Sequence, residues 1–269
     1  MKEWSYQGRW ALVTGASSGL GERFARELAS RGMKVALTAR REERLLALAG
    51  ELGRAHGTES LVFPADLAEA GAAKRLWQRA AGGGRHFHLL VSNAGFGALG
   101  NFHQQDPERL AKMVRVNVTS LLELARLALP GMRARGEGGI VNVSSLAGFQ
   151  PVPYMAAYAA TKAFVLSFSR ALHAENREAG VRVVCLCPGR TPTEFQDRAG
   201  SGRVTPGTPG YQTPERVVVA ALAALERNRE LVVPGRANRV GAVLSKLLPG
   251  ALVVRLVARG MERRMEDLG

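Results

Sequence analysis

The chain has 269 residues, 46% hydrophobic and 22% charged, a balance that excludes wholesale disorder, a collagen-like fibre and a coiled-coil rod. Two cysteines exclude a disulfide framework, no apolar run of ~18 residues marks a membrane-spanning helix, and the first residues lack a signal peptide's apolar core, so a soluble cytoplasmic protein is expected. The 37 basic residues against 23 acidic ones give a net charge of +14, which raises anionic ligands, nucleic acid and membrane surfaces as partners. The arginines are scattered, however, and no zinc-finger spacing, RNA-binding aromatic motif or heptad repeat occurs. A solvated basic surface is the plainer reading, and no nucleic-acid partner is expected.

Short apolar runs alternate with longer amphipathic ones. Residues 10–13 (WALV) predict a strand that ends in a glycine-rich turn, and residues 19–31 predict a helix, with Leu20, Phe24 and Leu28 on one face. Strand 34–38 and helix 42–52 follow, then strand 60–63 and helix 68–81. Gly82, Gly83 and Gly84 read as a flexible linker into strand 87–91. A long helix is predicted over 107–129, a strand over 140–143, a helix over 158–179 and a strand over 181–187. Residues 195–211, rich in Gly, Pro, Thr and Ser, form the one long irregular segment and are expected to act as a lid. Helix 213–227 and strand 231–233 complete the pattern. Strands joined by helices of this length must run parallel. The expected fold is an α/β, doubly wound parallel sheet of about seven strands with helices on both faces and ligands at the carboxyl ends of the strands.

Three local patterns carry chemistry. Gly15, Gly19 and Gly21 lie between a strand and a helix, where a phosphate needs free backbone N–H groups and close approach. Tyr158 and Lys162 are four apart on a helix and so share a face; an ammonium beside a phenol is expected to lower its pKa and fit it for proton transfer. Ser144 and Ser145 end the fifth strand, at the ligand-binding edge. Each pattern alone also fits a turn, a surface lysine or a helix cap.

Taken together, these segments resemble the short-chain dehydrogenase/reductase family from about Arg9 to Val233. TGASSGLG, residues 14–21, is similar to its pyrophosphate turn and implies cofactor contacts at Gly15, Ser17, Ser18, Gly19, Leu20 and Gly21. Asp66 and Leu67 match its adenine contact; Asn93, Ala94 and Gly95 match its motif after the fourth strand. Pro188, Gly189, Thr191 and Thr193 match the segment that meets the nicotinamide carboxamide. Asn117, Ser145, Tyr158 and Lys162 stand at the catalytic positions. One departure is Ser92, where the family usually carries Asn. The resemblance implies that Tyr158 donates a proton to the substrate oxygen, Ser145 orients that oxygen, Lys162 binds the nicotinamide ribose and Asn117 holds a water leading to solvent.

An NAD-preferring site needs an acid at the end of the second strand. Ala39 stands there, followed by Arg40 and Arg41, whose guanidinium groups suit a 2′-phosphate, and arginines in a first helical turn would otherwise oppose the macrodipole. NADP(H) is the expected cofactor. Phe96, Phe149, Val152, Tyr154 and Phe195, with Ser145, are expected to line a mostly apolar site for a small-molecule substrate, a hydrophobic carbonyl or alcohol. Cys185 and Cys187 read as buried apolar residues, and the five histidines show no ligand spacing, so no metal is expected. The resemblance further implies assembly as a homodimer or homotetramer through the long helices, here 107–129 and 158–179.

Beyond residues 1–235, residues 236–269 form a basic extension: seven Arg or Lys residues against three acids, with Pro249-Gly250 dividing two short amphipathic helices. They read either as packing against the substrate edge or a subunit, or as a membrane-surface anchor. The main reading is an NADP(H)-dependent carbonyl/secondary-alcohol oxidoreductase. The alternatives are a cofactor-binding regulatory or scaffold protein without turnover, and a membrane-associated ketoreductase of acyl chains.

Overall fold

Side-chain alternation along the central strands sorts their residues into two cores, one on each face of a single sheet. The computed structural model describes residues 3–200 and 211–266. Its strands are β1 (Trp10–Thr14), β2 (Lys34–Thr38), β3 (Ser60–Val62), β4 (Phe87–Ser92), β5 (Gly138–Val143), β6 (Val181–Leu186) and β7 (Leu231–Val232). Every neighbouring pair is parallel, in the order β3-β2-β1-β4-β5-β6-β7. Ala11, Val13, Val35, Leu37, Leu89, Val91, Val141 and Val184 point to one face, and Leu12, Ala36, Leu90, Ile140 and Val183 to the other. That two-sided burial is why the strands read as continuous apolar runs.

Helices α1 (Gly19–Ser30), α2 (Glu42–His56) and α8 (Pro214–Glu226) cover the first face through Phe24, Leu28, Leu45, Val217 and Leu222. Helices α3 (Ala72–Ala80), α5 (Ser120–Arg135) and α6 (Ala156–Asn176) cover the second through Leu76, Leu124, Met132 and Leu172. The chain winds outward from β1 to β3 and returns to β4 beside β1. The strand order therefore reverses at the β1–β4 boundary, which opens a crevice at their carboxyl ends.

The elements depart from the sequence expectation at glycines and one proline. Helix α3 starts at Ala72 rather than 68, because Gly71 precedes it with a left-handed φ of 70°. The long predicted helix runs as α4 (Pro107–Val114), a π-helical turn (Arg115–Thr119) and α5. It continues past Pro130, on the exposed side, to Arg135, where left-handed Gly136 caps it with N–H bonds back to Met132 and Arg133. The Gly82–Gly84 segment is a defined 3₁₀ turn rather than a free linker. Phe195 lies in a short helix, α7 (Glu194–Arg198), not in an irregular loop; residues 201–210 of the expected lid lie outside the described residues. The tail forms α9 (Arg236–Leu247) and α10 (Gly250–Glu266), divided at Pro249 as expected.

Candidate active site

The crevice is a cleft of about 860 Å³ reaching from the β1–α1 turn to the start of α6. Gly15, Ser17, Ser18, Gly19, Leu20, Asp66, Leu67, Asn93, Ala94, Gly95, Pro188, Gly189, Thr191 and Thr193 all line it, as the sequence implied. Gly21 does not. It is buried beneath the turn, where an added Cβ would run into the Gly15 carbonyl, so it serves helix–strand packing. Gly15 has φ +67°, and a Cβ there would lie 2.8 Å from Asn93 Nδ2. Asn93 ties the turn to β4: its amide N–H donates to Thr14 Oγ1 at 2.9 Å and its side chain to the Thr14 carbonyl at 2.9 Å. Ser18 precedes α1 in extended conformation with no side-chain cap. The first N–H groups of α1 are thus left without a side-chain acceptor beside the cleft, which fits a pyrophosphate there.

The catalytic positions converge deeper in the cleft. Ser145, Tyr158 and Lys162 line it. Ser145 lies two residues past the end of β5, in extended conformation, and its Oγ accepts the Ala147 N–H at 3.1 Å. Lys162 Nζ donates to the Val143 carbonyl at 2.9 Å and sits 5.8 Å from the Tyr158 ring centre. Asn117 lies in the π turn, almost fully buried, and does not line the cleft. Its amide donates to the Phe96 carbonyl at 3.0 Å and to Thr161 Oγ1 at 3.1 Å, while its oxygen accepts the Phe96 N–H at 3.1 Å. The π turn, a frequent mark of functional helices, was not visible in the 3–4 periodicity.

The expected acidification of Tyr158 is not what the chain's own groups produce. Burial pushes the phenol up to about 12, and hydrogen bonding with Ser145 only partly opposes this. Burial likewise pushes the Lys162 ammonium down to about 8. Desolvation penalises both charged forms, and the amine is aimed at the Val143 carbonyl across the face of the ring. With neither charge favoured, the pair holds a protonated phenol through neutral pH, the form that a proton donor needs.

At the β2–α2 boundary Ala39 lines the cleft with Arg40 and Arg41. No carboxylate stands at the strand end. Arg40 is exposed and makes no hydrogen bond or ion pair among the described residues. Arg41 donates to Ser17 Oγ at 3.1 Å and pairs with Glu194 of α7 at 2.9 Å. Burial would raise the Glu194 carboxyl, but hydrogen bonds from Arg44 and Arg41 outweigh it and hold it at about 2. Neither arginine opposes the α2 macrodipole from within its first turn, since Arg41 is the N-cap and Glu42 and Glu43 fill that turn; both arginines face the cleft instead.

The substrate wall is partly as expected. Phe96, Val152 and Phe195 line the cleft, with Phe195 5.5 Å from the Tyr158 ring. Phe149 and Tyr154 do not line it. Phe149 turns into a small core with Leu166 and Cys185, under Lys246. Tyr154, at φ 64°, points its hydroxyl to Glu262 at 3.1 Å and so ties this loop to α10. The sequence reading missed Met155, Val257 and Met261, which complete the apolar wall. Val253, Val257 and Met261 recur every four residues on the inner face of α10, and that spacing was the available signal. Cys185 and Cys187 are buried, with sulfurs 3.7 Å apart, as packing residues. The Ser92 hydroxyl and the Asn142 carboxamide oxygen, on residues paired in register on β4 and β5, are both buried without a hydrogen-bond partner among the described residues.

The sequence profile of the short chain dehydrogenases matches residues 9–203. A very-long-chain 3-oxoacyl-CoA reductase of Anas platyrhynchos is 37% identical over 224 residues, 81% of this chain and 69% of the duck protein. A short-chain dehydrogenase from Sphingobium yanoikuyae, solved in complex with NADPH, superposes with TM-score 0.79 at 34% identity, over 87% of this chain and 92% of that one. A 7beta-hydroxysteroid dehydrogenase superposes with TM-score 0.84 at 29% identity, over 94% and 97% of the respective chains.

Proposed function

The chain belongs to the short-chain dehydrogenase/reductase family, and from that premise we propose that it reduces apolar ketones to secondary alcohols with NADPH. The observation that carries the reading is the convergence of Ser145, Tyr158 and Lys162 at the deep end of a cleft whose other end has arginines and no acid. When bound, the reduced nicotinamide supplies a hydride to the carbonyl carbon. The chain's residues do the rest. Tyr158 gives its proton to the carbonyl oxygen and is left as phenolate. Ser145 donates a hydrogen bond to the same oxygen and fixes its position. Lys162 holds the ribose hydroxyls, and its positive charge stabilises the phenolate that forms. Asn117 pins the Phe96 backbone to α6 through Thr161, and a water beside it would return protons from solvent to Lys162.

The wall of Phe96, Val152, Met155, Phe195, Val257 and Met261 favours a bulky or long apolar group next to the carbonyl. The names of the relatives, a long-chain 3-oxoacyl thioester reductase and a hydroxysteroid dehydrogenase, support that class. The full Asn/Ser/Tyr/Lys set favours turnover over a scaffold, since a sensor has no use for a buried phenol beside an amine. Self-association remains part of the reading, supported by exposed Val114 and Leu122 along the α4–α5 helix.

Cofactor choice tests the cleft's outer end. kcat/KM for NADPH should exceed that for NADH, and Arg40→Ala/Arg41→Ala should lower the NADPH value by ~10–100-fold, the worth of lost charge-assisted phosphate bonds. NADH turnover should be nearly unchanged. Equal losses with both cofactors would remove the arginines from 2′-phosphate recognition.

A further inference from the structure

Helix α10 has two working faces. Its inner face sends Val257 and Met261 into the substrate wall. Its outer face, with α9, gathers exposed apolar residues: Val240, Val243, Leu244 and Leu247 at helical spacing on α9, Leu248 at the turn, then Leu252 and Leu256 on α10. These are seven of the twelve exposed large hydrophobic residues among the described ones, and Leu247 is 74% exposed. Such clustering marks a contact surface rather than the scattered exposure usual for a soluble domain. No helix among the described residues is long and apolar enough to cross a membrane.

Charge identifies the occupant. Arg236, Arg239, Lys246, Arg255 and Arg259 are exposed on the same two helices. Arg236, Arg255 and Arg259 make no hydrogen bond or ion pair among the described residues. Through residue 262 the sole acid is Glu262, and its carboxylate accepts the Tyr154 hydroxyl. A second copy of the same face would bring the same five cations against these, and a neutral apolar partner would leave them without a role. A surface of anionic lipid headgroups over acyl chains satisfies both features: cations meet headgroups and the leucines enter the acyl boundary.

We propose that the outer face of α9 and α10 docks this protein on anionic bilayer surfaces, with the apolar stripe in the acyl boundary and the basic residues at the headgroups. Docked in this way, the inner face of α10 sets the apolar wall of the cleft beside the bilayer, where apolar ketones are dissolved. The docking stands apart from the ketoreductase reading, because either can fail with the other intact.

Co-sedimentation of the full chain with phosphatidylcholine vesicles, with and without phosphatidylserine, tests it. Anionic vesicles should capture at least ~10-fold more protein than neutral ones, falling as salt rises. Leu244→Glu/Leu247→Glu, at exposed positions outside the cleft, should reduce capture by ~10-fold or more, with reduction of a water-soluble ketone unchanged to show intact folding. Equal capture by both vesicle types, or capture unaffected by the double variant, would overturn the proposal. So would a double variant that splits an oligomer by light scattering without changing vesicle capture, since a second copy would then cover the face.

Discussion

Tyr158→Phe should lower kcat/KM for ketone reduction by ~10²–10⁴-fold, the usual worth of a positioned general acid. The substitution removes one oxygen and keeps the ring, which packs against Phe195. Affinity for NADPH should therefore change little, because the pyrophosphate turn and the arginine pair lie elsewhere in the cleft. The phenol holds its proton up to about 12, so the wild-type enzyme has its donor protonated and neutral at any physiological pH. Fluorescence titration of cofactor binding beside steady-state reduction separates the two effects. A variant that keeps more than a tenth of wild-type activity would place the proton donor on another group.

Lys162→Met should cost activity by ~10²–10³-fold, as removal of a preorganised charge at a developing anion does, and yet stabilise the cofactor-free protein. Lys162 is 4% exposed and its ammonium donates to the Val143 carbonyl. Its pKa drop from 10.5 to about 8 corresponds to roughly 3 kcal/mol of burial cost at neutral pH, partly offset by ~1 kcal/mol for that hydrogen bond. The net gain from Met is ~1–2 kcal/mol, or a Tm rise of several degrees for a chain near this size. The sign of the pH dependence follows from the depressed folded-state value. Between pH 8 and 10.5 the unfolded chain binds the proton that the folded chain has lost, so wild-type stability rises across that window. The advantage of Lys162→Met should be full below pH 8 and shrink above it. A variant less stable than wild type at pH 7, or a gap that widens with pH, would contradict this account of the site's electrostatics.

The fold was legible because both sheet faces are covered: continuous Val, Ile and Leu runs, separated by helices too long for hairpins, leave a parallel sheet as the outcome. Its errors fell where backbone conformation overrides periodicity, at Gly71 and Pro130 and in the π turn holding Asn117. The site was legible as spacing, since Ser145, Tyr158 and Lys162 and the turn glycines are local patterns. Its electrostatics were not. A four-residue separation says that two groups share a helix face, but burial and the Val143 carbonyl decide which charge states survive. The substrate wall was harder still. Tyr154 and Phe149 lie in the right loop but are drawn away by Glu262 and by a neighbouring core, whereas Val257 and Met261 arrive from about 100 residues further along the chain because α10 folds back across the cleft.

The most direct test of the central claim follows the hydride. NADPH carrying deuterium at nicotinamide C4 is given to the wild-type enzyme with a bulky apolar ketone, and the product is read by mass spectrometry and NMR. The account predicts a secondary alcohol with deuterium on the carbinol carbon when the transferred face is labelled, and a slowed single turnover. Unlabelled alcohol from both of the singly labelled cofactors, one for each face, or no cofactor-dependent reduction of any apolar ketone, would contradict it.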